Sequence, residues 1–88
     1  MFRLWAKLFK DNRMLKDCVS SCNDYRISRT DMVVASLSEV CRSFDLAEPI
    51  WLNSNIEEFK RHSKTRFYSD SFIESIEFDF LEIQVIEE

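Results

Sequence analysis

The sequence predicts an α+β fold, a small β-β-α-α-β domain whose three-stranded, mainly antiparallel sheet carries two helices on one face. A stretch at each end of the chain alternates apolar and polar residues with the period of two that is typical of strands. Between these stretches, apolar residues recur at helical spacing. A chain of 88 residues has room for one hydrophobic core, so we expect a single domain over residues 1–88.

The first strand and a hairpin turn are predicted at the amino terminus. Residues 2–9 place four apolar side chains on one face, namely Phe2, Leu4, Ala6 and Leu8. Asp11 and Asn12 follow, and both residue types tolerate the left-handed backbone that a two-residue hairpin turn requires. A helix through residues 2–16 is the alternative, because the apolar residues at positions 4, 5, 8 and 9 also share a helix face.

A two-residue turn at this position fixes the register of the hairpin. The predicted partners are Phe9 with Met14, Leu8 with Leu15, Trp5 with Cys18, and Leu4 with Val19. The same register sets Lys7 opposite Lys16, a like-charge pair that is unfavourable without an acid nearby.

Two helices are predicted in the middle of the chain. Ser28 and Asp31 have the spacing of a capping box, which starts a helix from Thr30 to about Phe44. One face of this helix is apolar, with Val33, Leu37, Val40, Cys41 and Phe44. A second, shorter helix is expected from Ser54 to about His62, with Ile56 and Phe59 on its buried side.

The last predicted strand covers residues 76–86, after a single helical turn at residues 71–75. Its alternation changes parity after Phe80, so we expect an irregularity at Phe80–Leu81. The first strand is expected between its hairpin partner and this last strand. That order would bring an acid, Glu77, Asp79 or Glu82, close to Lys7 and Lys16.

Charge is unevenly distributed along the chain, whose net charge is −4. Residues 1–29 carry a balance of +4, whereas residues 69–88 carry seven acids and no base. Either the two segments pair within the fold, or they present faces of opposite sign to a partner. The overall negative charge excludes a uniformly basic surface for nucleic acid.

Residues for catalysis or metal binding are scarce. The chain has no glycine, which excludes glycine-rich phosphate loops and G-x-S-x-G elbows. Its one histidine, His62, has no catalytic partner at a recognisable spacing. Cys18, Cys22, Cys41 and His62 have the right number for structural zinc, but Cys41 lies on an apolar helix face. We therefore expect free thiols, no metal, no cofactor and no enzymatic activity.

One basic and aromatic stretch, residues 60–68, is a candidate contact for an anion or a nucleic acid. Its candidate residues are Lys60, Arg61, His62, Lys64, Arg66 and Tyr68. Cationic side chains can bind phosphates, and an aromatic ring can stack on a base. The alternative interpretation is a solvated helix end, where Lys and His favour the negative end of the helix dipole.

These observations favour a non-catalytic protein that acts by contact with another protein or with a second copy of itself. A nucleic-acid-binding regulator that uses residues 60–68 is the alternative. No run approaches the roughly 18 apolar residues of a membrane helix, and the start of the chain lacks the apolar run of a signal peptide. With an odd number of cysteines, this predicts a cytoplasmic protein with reduced thiols.

Three segments of the chain resemble a group of short uncharacterised bacterial proteins. They are FRLWAKLFKDNRMLKD at the start, and PIWLNSNIEEFKRHSKTRF and FDFLEIQVIEE towards the end. The resemblance implies a bacterial, cytosolic protein. It implies no activity, substrate or binding residue.

Overall fold

In a computed structural model, which describes residues 1–88, two helices cover one face of a four-stranded antiparallel sheet. The elements are β1 (Phe2–Lys10), β2 (Arg13–Cys22), α1 (Arg29–Ser43), α2 (Asn53–His62), β3 (Lys64–Phe67) and β4 (Phe80–Glu87). The α+β class is confirmed. The predicted chain order β-β-α-α-β, with three strands, is wrong, because β3 adds a fourth strand between α2 and β4. Within the sheet, the strands lie in the order β2-β1-β4-β3.

The unpredicted strand, β3, follows α2 almost directly. Ser63 takes a left-handed backbone with φ of 54°, and its N–H donates to the carbonyl oxygen of Phe59. The chain therefore reverses within one residue. Along β3, exposed Lys64 and Arg66 alternate with buried Thr65 and Phe67. Because this stretch is rich in Lys and Arg, its sequence does not show the alternation of apolar and polar residues that is typical of a strand.

The hairpin of β1 and β2 has the predicted turn, since Asp11 and Asn12 have φ of 53° and 64°. The strand is confirmed over the alternative helix. The register agrees at Phe9 and Met14 and then shifts at a bulge, where Leu15 is the extra residue.

The bulge changes every pair beyond it. The predicted partners of Leu8, Trp5 and Leu4 are wrong, because these residues lie opposite Lys16, Val19 and Ser20. Lys7 lies opposite Asp17, not Lys16. One inserted residue thus replaces a like-charge pair with an opposite-charge pair.

Helix α1 has the predicted start. The Ser28 side chain accepts a hydrogen bond from the backbone N–H of Asp31 at 3.1 Å, which satisfies a free donor of the first turn. The helix ends at Ser43, and Asp45 has a left-handed φ of 58°, so the chain turns before Pro49. The predicted apolar face is buried.

Helix α2 begins one residue earlier than predicted, at Asn53. Its first turn is capped by Asn55, whose Oδ1 accepts from the Leu52 N–H at 3.0 Å. Phe59 is buried as expected. Ile56 is exposed, so its predicted burial is wrong.

Strand β4 begins at Phe80, so the prediction of a strand over residues 76–79 is wrong. The parity change at Phe80–Leu81 marks the start of the strand and not an irregularity within it. The ladder between β1 and β4 shifts elsewhere, at Arg3 and Leu4. The short helical turn predicted at residues 71–75 lies at Ser69–Ser71, as a 3-10 turn.

One hydrophobic core lies between the sheet and the helices. The covered face of the sheet contributes Phe2, Leu4, Ala6, Leu8, Phe67, Leu81 and Ile83. Trp51 lies between the helices and the sheet, with its ring edge-on to Phe67 at 5.0 Å and to Phe59 at 5.5 Å. This core covers one face of the sheet, and the opposite face is left without helices.

Candidate protein-binding surface

The face of the sheet opposite the helices is formed by alternate residues of the strands, and we call it the open face. Its residues include Arg3, Trp5, Lys7, Phe9, Met14, Asp17, Val19, Ser21, Lys64, Arg66, Phe80, Glu82 and Gln84. The registers align them in rows across the sheet. One row is charged, with Asp17, Lys7, Glu82 and Arg66, and the row beside it is apolar, with Met14, Phe9 and Phe80.

The charged row is paired internally. The Nζ of Lys7 lies 2.7 Å from Oε2 of Glu82, and the Nε of Arg66 lies 2.9 Å from its Oε1. Lys7 is only 8% exposed and Glu82 only 4% exposed, although both lie on the open face. The prediction that an acid of the last strand lies beside Lys7 is confirmed, and the acid is Glu82.

Aromatic rings cover this charged row. The Nζ of Lys7 lies 3.8 Å from the centre of the Trp5 ring, and Nε1 of Trp5 donates to Oδ2 of Asp17 at 2.9 Å. The guanidinium of Arg66 lies 4.5 Å from the centre of the Phe80 ring. Such cation–π contacts and hydrogen bonds favour these side-chain conformations on the open face.

The pKa of Glu82 reflects two opposing effects. Burial raises it, and the hydrogen bonds from Lys7 and Arg66 lower it by more, so the pKa lies below its ordinary value. The pKa of Arg66 is raised by its hydrogen bond to Glu82. Glu82 thus pairs with both cations, which lowers the positive charge that Lys7 and Arg66 offer to a phosphate.

The apolar row is more accessible. The Phe9 and Phe80 rings stack at 5.0 Å, and Tyr68, which follows β3, lies 5.4 Å from Phe80. Tyr68 and Met14 are each 48% exposed. Aromatic and methionine side chains of this kind are enriched where proteins bind one another.

The outer side of β2 pairs with no strand, and we call it the β2 edge. Its ten residues make it the longer of the two sheet edges, since β3 has four. Every other residue of such a strand directs its backbone N–H and C=O away from the sheet. Charged residues occupy only the half next to the turn, at Arg13, Lys16 and Asp17, whereas Cys18–Cys22 carries no charge.

The structure divides the candidate stretch 60–68 between two faces of the sheet. Lys60, Arg61 and His62 form the last turn of α2, on the covered face. Lys64 and Arg66 point to the opposite face, because Thr65 and Phe67 are buried beneath α2. Tyr68 lies beside Phe80 at the margin of the open face.

The sequence predicts an acid of the last strand beside Lys7, but it does not predict the Trp5–Asp17 and Arg66–Glu82 contacts that organise the open face. A signal was present, because Trp5 and Lys7 share the more polar parity of the first strand. The predicted cross-strand partners of Trp5 and Lys7 are wrong, because the apolar pattern of β2 does not indicate its bulge. The sequence indicates Arg66 as a candidate cation, but it does not predict β3, the strand that pairs Arg66 with Glu82.

The cysteines do not converge on a metal site, and no group of three or more His, Cys, Asp or Glu side chains is arranged to hold an ion. All three cysteines are free thiols. Burial, with a smaller contribution from Glu48, raises the pKa of Cys41 to about 12. Burial also raises the pKa of Cys18. Both thiols therefore stay protonated at neutral pH and are weak nucleophiles.

The two larger grooves lie on the helical side of the molecule. The one between α1 and α2, of about 340 Å³, has a largely apolar lining that includes Val33, Val34 and Trp51. The other, of about 610 Å³, lies between the hairpin turn and residues 72–78. Arg29, at the rim of the first groove, is bound to Glu88 and to Ser63.

Comparison of the chain with protein-family models, with curated protein sequences and with solved structures finds no match. Neither helix has the length and apolar character needed to cross a membrane.

Proposed function

We propose that this protein is a small, non-catalytic cytoplasmic module that acts by contact with another protein or with a second copy of itself. The binding surface is the open face together with the β2 edge. The observation that carries the proposal is a ten-residue edge strand without a partner, beside a sheet face that no helix covers.

The open face supplies side chains that are already ordered. Trp5, Phe9 and Phe80 are fixed by ring stacking, by hydrogen bonding or by a cation. A partner that docks on them loses little side-chain entropy, which is a main cost of association. Aromatic residues also provide most of the binding energy at many protein interfaces.

The β2 edge supplies the directional part of the contact. An added strand gains backbone hydrogen bonds along the edge, and its side chains then extend the rows of the open face. Val19 lies on both features, since it belongs to β2 and to the open face, and it is 48% exposed. It is the position where one substitution tests the whole surface.

The experiment uses the tagged full-length chain as bait, in its wild-type form and as Val19→Lys. Val34→Lys is the matched control, because Val34 is 49% exposed and lies on α1. Each captured protein is purified and titrated against the three baits. We expect a binding protein whose affinity falls about tenfold or more with Val19→Lys and is unchanged with Val34→Lys. Equal affinities for all three baits, or capture of nothing and no self-association, would contradict the proposal.

A second candidate, binding of single-stranded nucleic acid, is favoured by one observation. Lys64 and Arg66 lie on the same side of the sheet as Phe80 and Tyr68, so cations and aromatic rings occur together. Against it, Glu82 neutralises Arg66, and the net charge is −4.

Fluorescence anisotropy with a labelled single-stranded oligonucleotide separates the two candidates. The protein-contact proposal predicts no saturable binding at physiological salt. Tight binding that weakens steeply with added salt, and that is reduced by Lys64→Ala, would favour nucleic acid.

A further inference from the structure

We propose that a second copy of this chain binds at the β2 edge, where Cys18–Cys22 of the two copies pair as antiparallel strands. The two sheets then join into one continuous sheet. The inference rests on the proposed function, because it names the partner of that same surface. It follows from the distribution of charge along β2 and from the symmetry of an antiparallel pair.

The half of β2 next to the turn is protected against pairing. It carries Arg13, Lys16 and Asp17, and the bulge at Leu15 distorts it. Charged residues and bulges are the features by which natural edge strands avoid one another. The other half, Cys18–Cys22, has neither feature, and the β1–β2 register is regular there.

Only one register pairs all five uncharged residues of Cys18–Cys22 with one another. With Ser20 on the two-fold axis, Val19 faces Ser21 of the partner subunit, and Cys18 faces Cys22 of the partner subunit. Each pair joins residues of the same sheet face, as antiparallel pairing requires. An axis at Asp17 would instead bring this carboxylate against its own copy, which is unfavourable.

The same geometry puts thiols opposite one another. Directly opposed residues of antiparallel strands have Cα atoms about 4.5–5.5 Å apart, which lies within the range that a disulfide spans. Cys22 and Cys22 of the partner subunit would be separated by four residues along the strand, or about 14 Å, which is too far. Cross-linking therefore reports both association and register.

The first test is sedimentation velocity of the reduced full-length chain over a wide concentration range. We expect the mass to rise from 10.6 kDa towards twice that value. Val19→Lys should weaken association about tenfold or more, because it places two like charges at diagonal neighbouring positions on one face of the paired strands. Val34→Lys should have no effect. A wild-type chain that stays monomeric at every concentration would overturn the inference.

The second test mixes two cysteine variants and oxidises them with diamide at mildly alkaline pH. Cys18→Ser keeps only Cys22 on β2, and Cys22→Ser keeps only Cys18. We expect neither variant alone to form a covalent dimer, and the mixture to form one, since only the mixture has a thiol opposite a thiol. Cross-linking of either variant alone, or none in the mixture, would overturn the register. Cys41→Ser in both backgrounds removes the third thiol as a control.

The outcomes also separate this inference from the proposed function. A monomeric chain whose binding to a captured protein still depends on Val19 would overturn the inference and leave the function standing. A monomeric chain with no partner that depends on Val19 would overturn both.

Discussion

The two edge strands of the sheet differ in what covers them. A side chain of α2 bonds to the outer backbone of β3, whereas the outer backbone of β2 is uncovered. On β3, the Nδ2 of Asn55 donates to the carbonyl oxygen of Arg66 at 2.8 Å and to Oγ1 of Thr65 at 3.0 Å. A side chain of α2 thus occupies backbone that an added strand would need. On β2, α1 packs against the covered face, and the edge of Cys18–Cys22 has no such partner. The difference implies that substitutions at the β3 edge affect stability and that those at the β2 edge affect association.

The largest effect on stability is expected at Asn55. This side chain is 5% exposed, and it makes three hydrogen bonds, to Leu52, Thr65 and Arg66. Asn55→Ala leaves buried groups without partners and should lower the free energy of unfolding by about 2–4 kcal/mol. Urea unfolding measures it, with Ser54→Ala, an exposed neighbour, as the control. A loss below about 0.5 kcal/mol would mean that the β3 edge is not held by α2.

The next largest effect is expected at Glu82, which joins β1, β4 and β3. Glu82→Gln keeps an acceptor but removes the carboxylate that pairs with buried Lys7 at 2.7 Å, and should cost about 1.5–3 kcal/mol. The matched control is Glu87→Gln, because Glu87 pairs with Arg3 at 3.3 Å on the exposed surface. That variant should cost less than about 1 kcal/mol. Equal costs for the two variants would show that burial of the Lys7–Glu82 pair adds nothing.

The lowered pKa of Glu82 predicts how the free energy of unfolding depends on pH. Its pKa is lower in the folded chain than in the unfolded one, so its charged form stabilises the fold above about pH 4.3, the ordinary value for glutamate. This contribution is lost as pH falls through the folded pKa. The difference in unfolding free energy between wild type and Glu82→Gln should therefore be full at pH 7 and shrink in acid. A difference that is constant from pH 7 to pH 3 would contradict the assignment.

The smallest effect on stability is expected at Val19. This residue is half exposed at an edge, so Val19→Lys should change the free energy of unfolding of the monomer by no more than about 0.5 kcal/mol. Thermal unfolding at low protein concentration checks this. A larger loss would mean that weaker association of this variant reflects partial unfolding and not a blocked edge.

The sequence predicts those parts of the fold that depend on local periodicity. The β1 strand, the turn at Asp11 and Asn12, and the cap at Ser28 were all predictable, because each is set by neighbouring residues. The parts that depend on non-local pairing were not. The bulge at Leu15 places Asp17 opposite Lys7, and the apolar pattern of the sequence does not predict this bulge.

The candidate binding surface likewise combines features that the sequence predicts with features that depend on non-local pairing. Its aromatic and charged residues are visible in the sequence, but the fourth strand brings Arg66 to Glu82. β3 has only four residues, too few for a clear alternation in a stretch rich in Lys and Arg. Once that strand is placed, the basic stretch 60–68 divides between two faces.

The most direct test of the central claim is backbone hydrogen exchange of the two edges at low and high protein concentration. We expect amides of residues 18–22 that point away from β1 to exchange more slowly as protein concentration rises, because a second copy covers them. Amides of residues 64–67 should be unaffected. Exchange in residues 18–22 that is independent of concentration, or slowing that occurs instead in β3 or the helices, would contradict the pairing of two copies at the β2 edge.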